Sequence, residues 1–393
     1  MNLIESLLSP AGRADPFPLY AEAHRLGPVL PIADTVFVIV GYAAANEVLR
    51  NPGFGIPSDP SSEPSLELMQ RSILRANPPD HGRMRSLISQ VFTPRRVAAL
   101  RPAIETAVDD LLDSLPTTVD FMDRFAFQLP VTVICELLGV PASERDRFRP
   151  LASDLTAALE LTDASDASAD AAAHELGEYF AELIREPSAD GLVGALVAAR
   201  DAGDGRLSDE ELLANLILLL VAGFETTTDL LGNGLAILLD QPGLASEPAA
   251  FVEEVLRFDS PVQVTTRVAR TDGLSAGGIA MPAGSDLILL LGAANRDPAR
   301  FPQPDRFDPA RADNKPLSFG AGAHICLGNS LARLEAKVAF ARLLDRFPTI
   351  TSAGPASRRD RLVLRGYQTL LVRLSSAGCS GSGGTGSQGR TSA

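Results

Sequence analysis

The most reactive setting in this 393-residue chain belongs to Cys326. It nearly closes a glycine-rich run, Phe319-Gly320-Ala321-Gly322-Ala323-His324-Ile325-Cys326-Leu327-Gly328, ahead of a stretch over 329–347 that predicts a helix. A cysteine at a helix start has its thiolate favoured by the helix dipole and by free backbone N–H groups. Glycines let such a loop pass close to something flat. A lone cysteine is more often a buried, inert core residue, but the flanking pattern argues for the reactive reading. A second candidate is Ala222-Gly223-Phe224-Glu225-Thr226-Thr227. Residues 212–224 are apolar on every face, so a helix here must be buried. A glycine and a carboxylate inside it both cost stability. A threonine hydroxyl there can bond the carbonyl one turn back and open the ladder. An acid beside an alcohol can relay protons.

Other patterns are weaker singly. Glu254-Val255-Leu256-Arg257 sets opposite charges three apart on one helix face, which alone is an ordinary surface ion pair. In Asp80-His81-Gly82-Arg83-Met84-Arg85, His81 and Arg85 are four apart and face one way, and Arg83 reads as a solvated face. Gly273-Leu274-Ser275-Ala276-Gly277 matches a hydrolase elbow, but Gly278-Ile279-Ala280-Met281-Pro282 follows it as a hairpin, so the glycine-rich turn is preferred. Gly381-Ser382-Gly383-Gly384-Thr385-Gly386 matches a dinucleotide fingerprint without its strand and helix. Cys135, Cys326 and Cys379 are too far apart to read as a disulfide framework or a zinc ribbon.

The elements that must position these residues are mostly helical. Ser208-Asp209-Glu210-Glu211 is a capping box with acids at the positive helix end. It predicts a helix to about residue 240, stopped by Pro242-Gly243 and roughly 48 Å long at 1.5 Å per residue. Residues 94–112 predict one helix or two, and 131–138 a helix stopped by Gly139 and Pro141. Residues 36–40 predict a strand, and more strands follow Pro261 between turns at Gly273, Gly277, Gly278, Pro282 and Gly284. The Ala/Asp/Ser-rich stretch 163–173 reads as a mobile helix–loop connection. The Ser/Gly-rich residues 375–393 read as a disordered tail. The expected fold is mainly α with a small β-rich region, in one domain over 1–374.

Composition narrows the function. Apolar residues are 45%, ample for a core. The 35 basic and 49 acidic residues leave a net charge of −14, which argues against a nucleic-acid or anionic-membrane partner. The N-terminus lacks the basic and apolar regions of a secretory signal. The longest apolar runs fall short of the ~20 residues that span a bilayer. The expected setting is cytoplasmic, with no membrane partner.

The Cys326 loop resembles the haem-binding loop of the cytochromes P450, and the resemblance covers about residues 10–374 with motifs in the family's order. It implies the P450 fold and haem b (iron protoporphyrin IX). Cys326 would be the axial metal ligand, in a loop shaped by Phe319, Gly320 and Gly328. His81, Arg85, Arg267 and His324 would hold the two haem carboxylates, which want cationic, forked donors. Ala222, Gly223, Glu225 and Thr226 would form the oxygen-activation motif. Glu254 and Arg257 would join Arg306, from Phe301-Pro302-Gln303-Pro304-Asp305-Arg306-Phe307-Asp308-Pro309, in a structural triad. Phe224, Val262, Val264, Thr265, Val363 and Leu364 would line the substrate pocket. The activity implied is a monooxygenase that inserts one oxygen atom of O2 into an apolar small molecule. A secondary metabolite of polyketide, macrolide or terpenoid type is the expected substrate. The chain has no ferredoxin cysteines and no room for a flavin domain, so electrons must come from a separate ferredoxin and its NAD(P)H-dependent reductase. The rivals are a peroxide-driven peroxygenase and a non-enzymatic haem sensor. Glu225-Thr226 argues against both, since neither needs to manage protons from O2. The chain has no tryptophan, so a family tryptophan near the haem carboxylates is absent.

Overall fold

A computed structural model describes residues 3–58, 63–90, 92–157, 160, 167–187, 191–202 and 207–376. The central beam is the helix Asp209–Asp240, 32 residues long. Its capping box is complete: the Glu211 N–H donates to Ser208 Oγ at 3.1 Å, and the Ser208 N–H donates to Glu211 Oε2 at 2.9 Å. By length and composition it could cross a bilayer, yet it is buried in protein. Its first half packs with Ile134, Phe148, Leu176 and Phe180. Its second half packs with Ile104, Phe251 and Phe340. Each large apolar side chain buried this way contributes about 1.5–3 kcal/mol.

The chain around residue 100 makes two helices, Pro94–Ala99 and Arg101–Ser114. Gln128–Leu138 ends at Gly139, whose φ of 83° is left-handed backbone that glycine adopts without strain. The stretch read as a mobile connection is in part a helix, Ala167–Arg185. Ala169, Ala172 and Ala173 are buried in it, and a low-bulk sequence hides such a packing face. Residues 161–166 lie outside the described residues.

A five-stranded sheet runs in the order Val29–Ala33, Val36–Ile39, Asp286–Leu290, Val264–Ala269, Phe54–Gly55. Only Val36–Ile39 and Asp286–Leu290 pair in parallel. The sequence that mimics a hydrolase elbow forms the antiparallel hairpin Leu274–Ala276 with Ile279–Met281. A second sheet sets Leu371–Ser375 between Thr118–Asp120 and Thr349–Ser352. Ser375 pairs with Thr349 there, so the ordered chain runs past the expected boundary at 374. The rest of the expected tail, 377–393, lies outside the described residues.

Candidate active site

The Cys326 loop is held from three sides. The Cys326 N–H donates to Phe319 O at 2.9 Å, closing the loop on itself. Gly320 and Gly322 take φ of 67° and 70°. A Cβ on Gly322 would lie 2.2 Å from Leu49 O, so that glycine admits the helix Tyr42–Arg50 rather than a flat ligand. Gly328 then leads into the helix Asn329–Arg346. Dense surroundings push the Cys326 thiol up, while the N–H groups of Gly328 and Asn329 and the nearby Arg85 and Arg333 favour its thiolate. The same cysteine is exposed.

The third anchor is a hydrogen-bond chain from the helix Pro248–Phe258. Arg257 and Glu254 are fully buried and paired twice, at 2.7 and 2.9 Å. Arg257 also donates to Asn295 O, Pro304 O and Arg306 O. Asn295 Oδ1 accepts from the Leu317 N–H at 2.6 Å, and its amide nitrogen donates to Ser318 Oγ at 2.9 Å. Ser318 Oγ donates back to Leu256 O. The expected triad needs a correction. The Arg306 side chain is exposed and reaches only Gln303; its carbonyl, not its guanidinium, joins the network. The third arginine is Arg311, 3.6 Å from Glu254. Five residues separate the two candidates, too few for spacing to tell them apart.

Beside the loop stand four basic side chains. The His81 and His324 rings lie 3.8 Å apart. Arg85 Nη2 donates to Ile325 O at 2.7 Å. Arg267, on the sheet strand Val264–Ala269, donates only to Thr265 Oγ1 and Thr266 O. Burial lowers Arg267 to about 10. Burial, then His81 and both arginines, lowers His324 to about 3. His81 is lowered by the same causes, and its Nε2 is buried without a partner. Among the described residues no carboxylate pairs with any of the four. Both histidines are thereby held neutral, and the Arg85 and Arg267 guanidiniums are left to be neutralised by an anion from outside.

The oxygen-motif helix departs from expectation in three ways. The helix runs unbroken through the motif. Thr226 Oγ1 does donate to Ala222 O, at 3.1 Å, but the ladder does not open. A Cβ on Gly223 would meet Ile134 at 2.7 Å, so Gly223 serves a close helix crossing. Glu225 is buried and paired with Arg359, with no hydrogen bond to Thr226 among the described residues. Leu219, Ala222 and Thr226, spaced three and four apart, are nonetheless the incompletely covered stripe of this core helix.

Two expected pocket residues belong to the core instead. Phe224 is wholly buried, edge-on to Phe127 at 5.2 Å. Val264 packs with Tyr20 and Leu290. Val262, Thr265 and Val363 stay half-buried, while Leu364 is buried and bridges to Val262. The Glu160 carboxylate accepts the N–H groups of Leu362, Val363 and Leu364 at 2.9, 2.8 and 3.0 Å. A surface cleft of about 680 Å³ beside Pro64, Leu68 and the helix Ala167–Arg185 contains none of the residues expected to act. Arg311, Arg359, Asn295 and Ser318 escaped sequence reading because their contacts span long distances along the chain.

Comparison with known proteins gives a consistent result. The family described as Cytochrome P450 matches residues 249–364. The chain is 36% identical to 6-deoxyerythronolide B hydroxylase of Saccharopolyspora erythraea, over 95% of this chain and 100% of that protein. It is 38% identical to cytochrome P450 monooxygenase PikC of Streptomyces venezuelae, over 92% and 91%. Ligand-free CYP164A2 of Mycobacterium smegmatis superposes with a TM-score of 0.87 at 39% identity, covering 95% of this chain and 99% of that one. P450BioI, in complex with acyl carrier protein ligated to hexadec-9Z-enoic acid, gives 0.87 at 32% identity, covering 93% and 100%. A cysteine on a braced loop, two arginines without an acid beside it and likeness along nearly the whole chain lead to one conclusion: the chain belongs to the cytochrome P450 family and is a haem-thiolate monooxygenase.

Proposed function

We propose that Cys326 is the iron ligand, that His81, Arg85, Arg267 and His324 hold the carboxylates of haem b, and that the Thr226 stripe borders the oxygen site. The observation that carries this reading is a pair of arginines without an acid partner, Arg85 and Arg267, grouped with His81 and His324 beside the exposed Cys326 thiol. Two propionates supply the missing anions, and Arg85 and Arg267 offer forked donors for them. Haem, when bound, supplies an iron centre that activates O2 for insertion of one oxygen atom into substrate.

The chain's own residues then have distinct work. The N–H groups of Gly328 and Asn329 favour the Cys326 thiolate against the burial that opposes it. Arg257 fixes the segment that leads into the Cys326 loop, through Asn295 and Ser318. Thr226 Oγ1 can turn from Ala222 O to hold a proton donor's place beside the oxygen site. Leu219, Ala222, Val262 and Val363 present an aliphatic wall that excludes water and suits an apolar substrate. The relatives named above include 6-deoxyerythronolide B hydroxylase, and we assign this chain to secondary-metabolite tailoring in the cytoplasm. For electrons, the helix Pro94–Ala99 packs against Asn329–Arg346 and exposes Arg95 and Arg96. That basic patch suits an acidic ferredoxin served by its reductase. Arg83 does not join it, being tied to Glu211 and Asp80.

The test is spectroscopic. The reduced CO complex should absorb at the thiolate position, and Cys326→His should lose that band while Cys135→Ser keeps it. A thiolate spectrum that survives Cys326→His would overturn the assignment. A substrate screen followed by the Soret shift then identifies the ligand class.

A further inference from the structure

One buried acid has no part in the reading above. Asp229 lies one turn beyond Glu225 on the core helix and is fully buried. Neither of its oxygens has a hydrogen-bond partner. Its one ion-pair contact among the described residues is Arg359, at 3.6 Å, the guanidinium that already pairs with Glu225, while Arg358 is tied to Asp259 and Arg361 to Thr156 and Ser153. The side chains of Glu225 and Asp229 are 2% and 0% exposed, and that of Arg359 is 14% exposed, so the arginine alone reaches water. The space is fitted to the carboxyl: a Cβ on Gly366 would lie 1.9 Å from Asp229 Oδ1.

We propose that Asp229 is a positioning residue for proton delivery, sharing Arg359 with Glu225 so that the two carboxyls together keep one proton in the interior. It rests on the proposed place of Thr226 at the oxygen site and adds Glu225, its neighbour in the chain, as the proton donor.

The argument is charge counting in a poorly solvated space. Two carboxylates and one guanidinium carry a net charge of −1, which burial penalises. One proton on either carboxyl makes the trio neutral. Like charges sharing a site cannot both ionise easily, and their protons belong to the pair. The charged groups that face Asp229 are Glu225 on its own helix and Arg358, Arg359 and Arg361 on the segment packed across it. Burial pushes the Asp229 carboxyl up to about 7; Arg359 opposes this and Glu225 adds to it. When the proton sits on Asp229, Arg359 holds Glu225 as a carboxylate. When the proton moves to Glu225, Arg359 turns to Asp229, and Glu225 is a free acid next to Thr226 in the chain. The proton passes between carboxyls with no change in charge, and water restores it at the partly exposed edge of the trio beside Arg359.

Asp229→Asn imitates an Asp229 that is always neutral and has no proton to give. Glu225 is then locked to Arg359 as a carboxylate. The holoenzyme variant should load haem and bind substrate as the parent does. Its product per NADPH should fall about tenfold at neutral pH, below the 10²–10⁴ typical of losing an acid itself. The pH at which coupling is lost should move down. Infrared spectra of the parent should show a protonated-carboxyl band that titrates near neutral pH and is missing from Asp229→Asn. No such band in the parent, or an unmoved coupling profile in Asp229→Asn, would overturn the proposal. Glu225→Gln run alongside separates the two readings. If it stays coupled, the role of Glu225 fails; if it uncouples while Asp229→Asn keeps the parental profile, only the proposal fails. Should Asp229→Asn not fold, the parental band and its change in Glu225→Gln decide the matter.

Discussion

Two buried guanidinium–carboxylate clusters sit on neighbouring helices of this molecule, and they differ in how completely they are satisfied. Around Arg257, every nitrogen of the guanidinium has an acceptor, and Glu254 also takes the Asp308 N–H and the Asn314 amide. Around Arg359, one arginine serves two acids, and Asp229 is left with bare oxygens. Buried charges that are fully bonded hold a shape, because moving any of them leaves another unpaired. Buried charges that are under-bonded can exchange partners and protons at little cost. The difference separates a cluster that fixes the Cys326 loop from one that can act during turnover.

Six substitutions press on that contrast. Arg257→Ala should cost most, about 3–5 kcal/mol, because it strands Glu254 in the core. Purified variant should be poorly folded and haem-free by thermal melting and Soret absorbance; a fully loaded, stable variant would remove Arg257 from its structural role.

Asp229→Asn should move stability in a pH-dependent way. The acid sits near 7 in the fold against 3.8 in an open chain. Below pH 4 it is neutral in both states and carries no penalty. As pH rises from about 4 to 7 the folded protein loses stability, by at most about 4 kcal/mol. The asparagine variant should therefore gain on the parent as pH rises, which melting curves at pH 4 and pH 8 would measure. Parallel curves would mean that Asp229 ionises normally.

Thr226→Ala should leave the fold and haem content intact and divert electrons to peroxide. Product per NADPH should drop by about 10² or more. Thr227→Ala should do much less, because Thr227 points ~100° away around the helix. Equal coupling in Thr226→Ala and parent would free the uncovered stripe from proton work. The smallest effect separates two arginines. Arg311→Ala should cost about 1–2 kcal/mol as a member of the Glu254 network, and Arg306→Ala less than about 0.5 kcal/mol as an exposed side chain. The reverse order in urea titrations would restore Arg306 to the triad.

The contrast also marks what sequence could reveal. Glu254 and Arg257 are three residues apart, so helix geometry alone brings them together. The capping box at Ser208, the stop at Gly139 and the hairpin at Gly277 are equally local. The loop that carries Cys326 was legible from its glycines and its place before a helix. Arg359 meets Glu225 across 134 residues, and no periodicity encodes such a meeting. Phe224 was read as pocket lining because it sits inside the oxygen motif. Neighbouring residues of a helix point about 100° apart, so a motif does not share one face. The stretch 163–173 reads as a mobile helix–loop connection because alanines give no sign of a packing face, yet Ala169, Ala172 and Ala173 are buried.

Glu160 leaves a different mark on the molecule. Its carboxylate, rather than a strand partner, takes the amides of Leu362, Val363 and Leu364. Deuterium uptake at these three positions therefore reports the undocking of one side chain. In Glu160→Gln, where one carboxylate oxygen becomes a donor, the three amides should exchange together and faster, while Leu287 and Leu289 in the central sheet keep their protection.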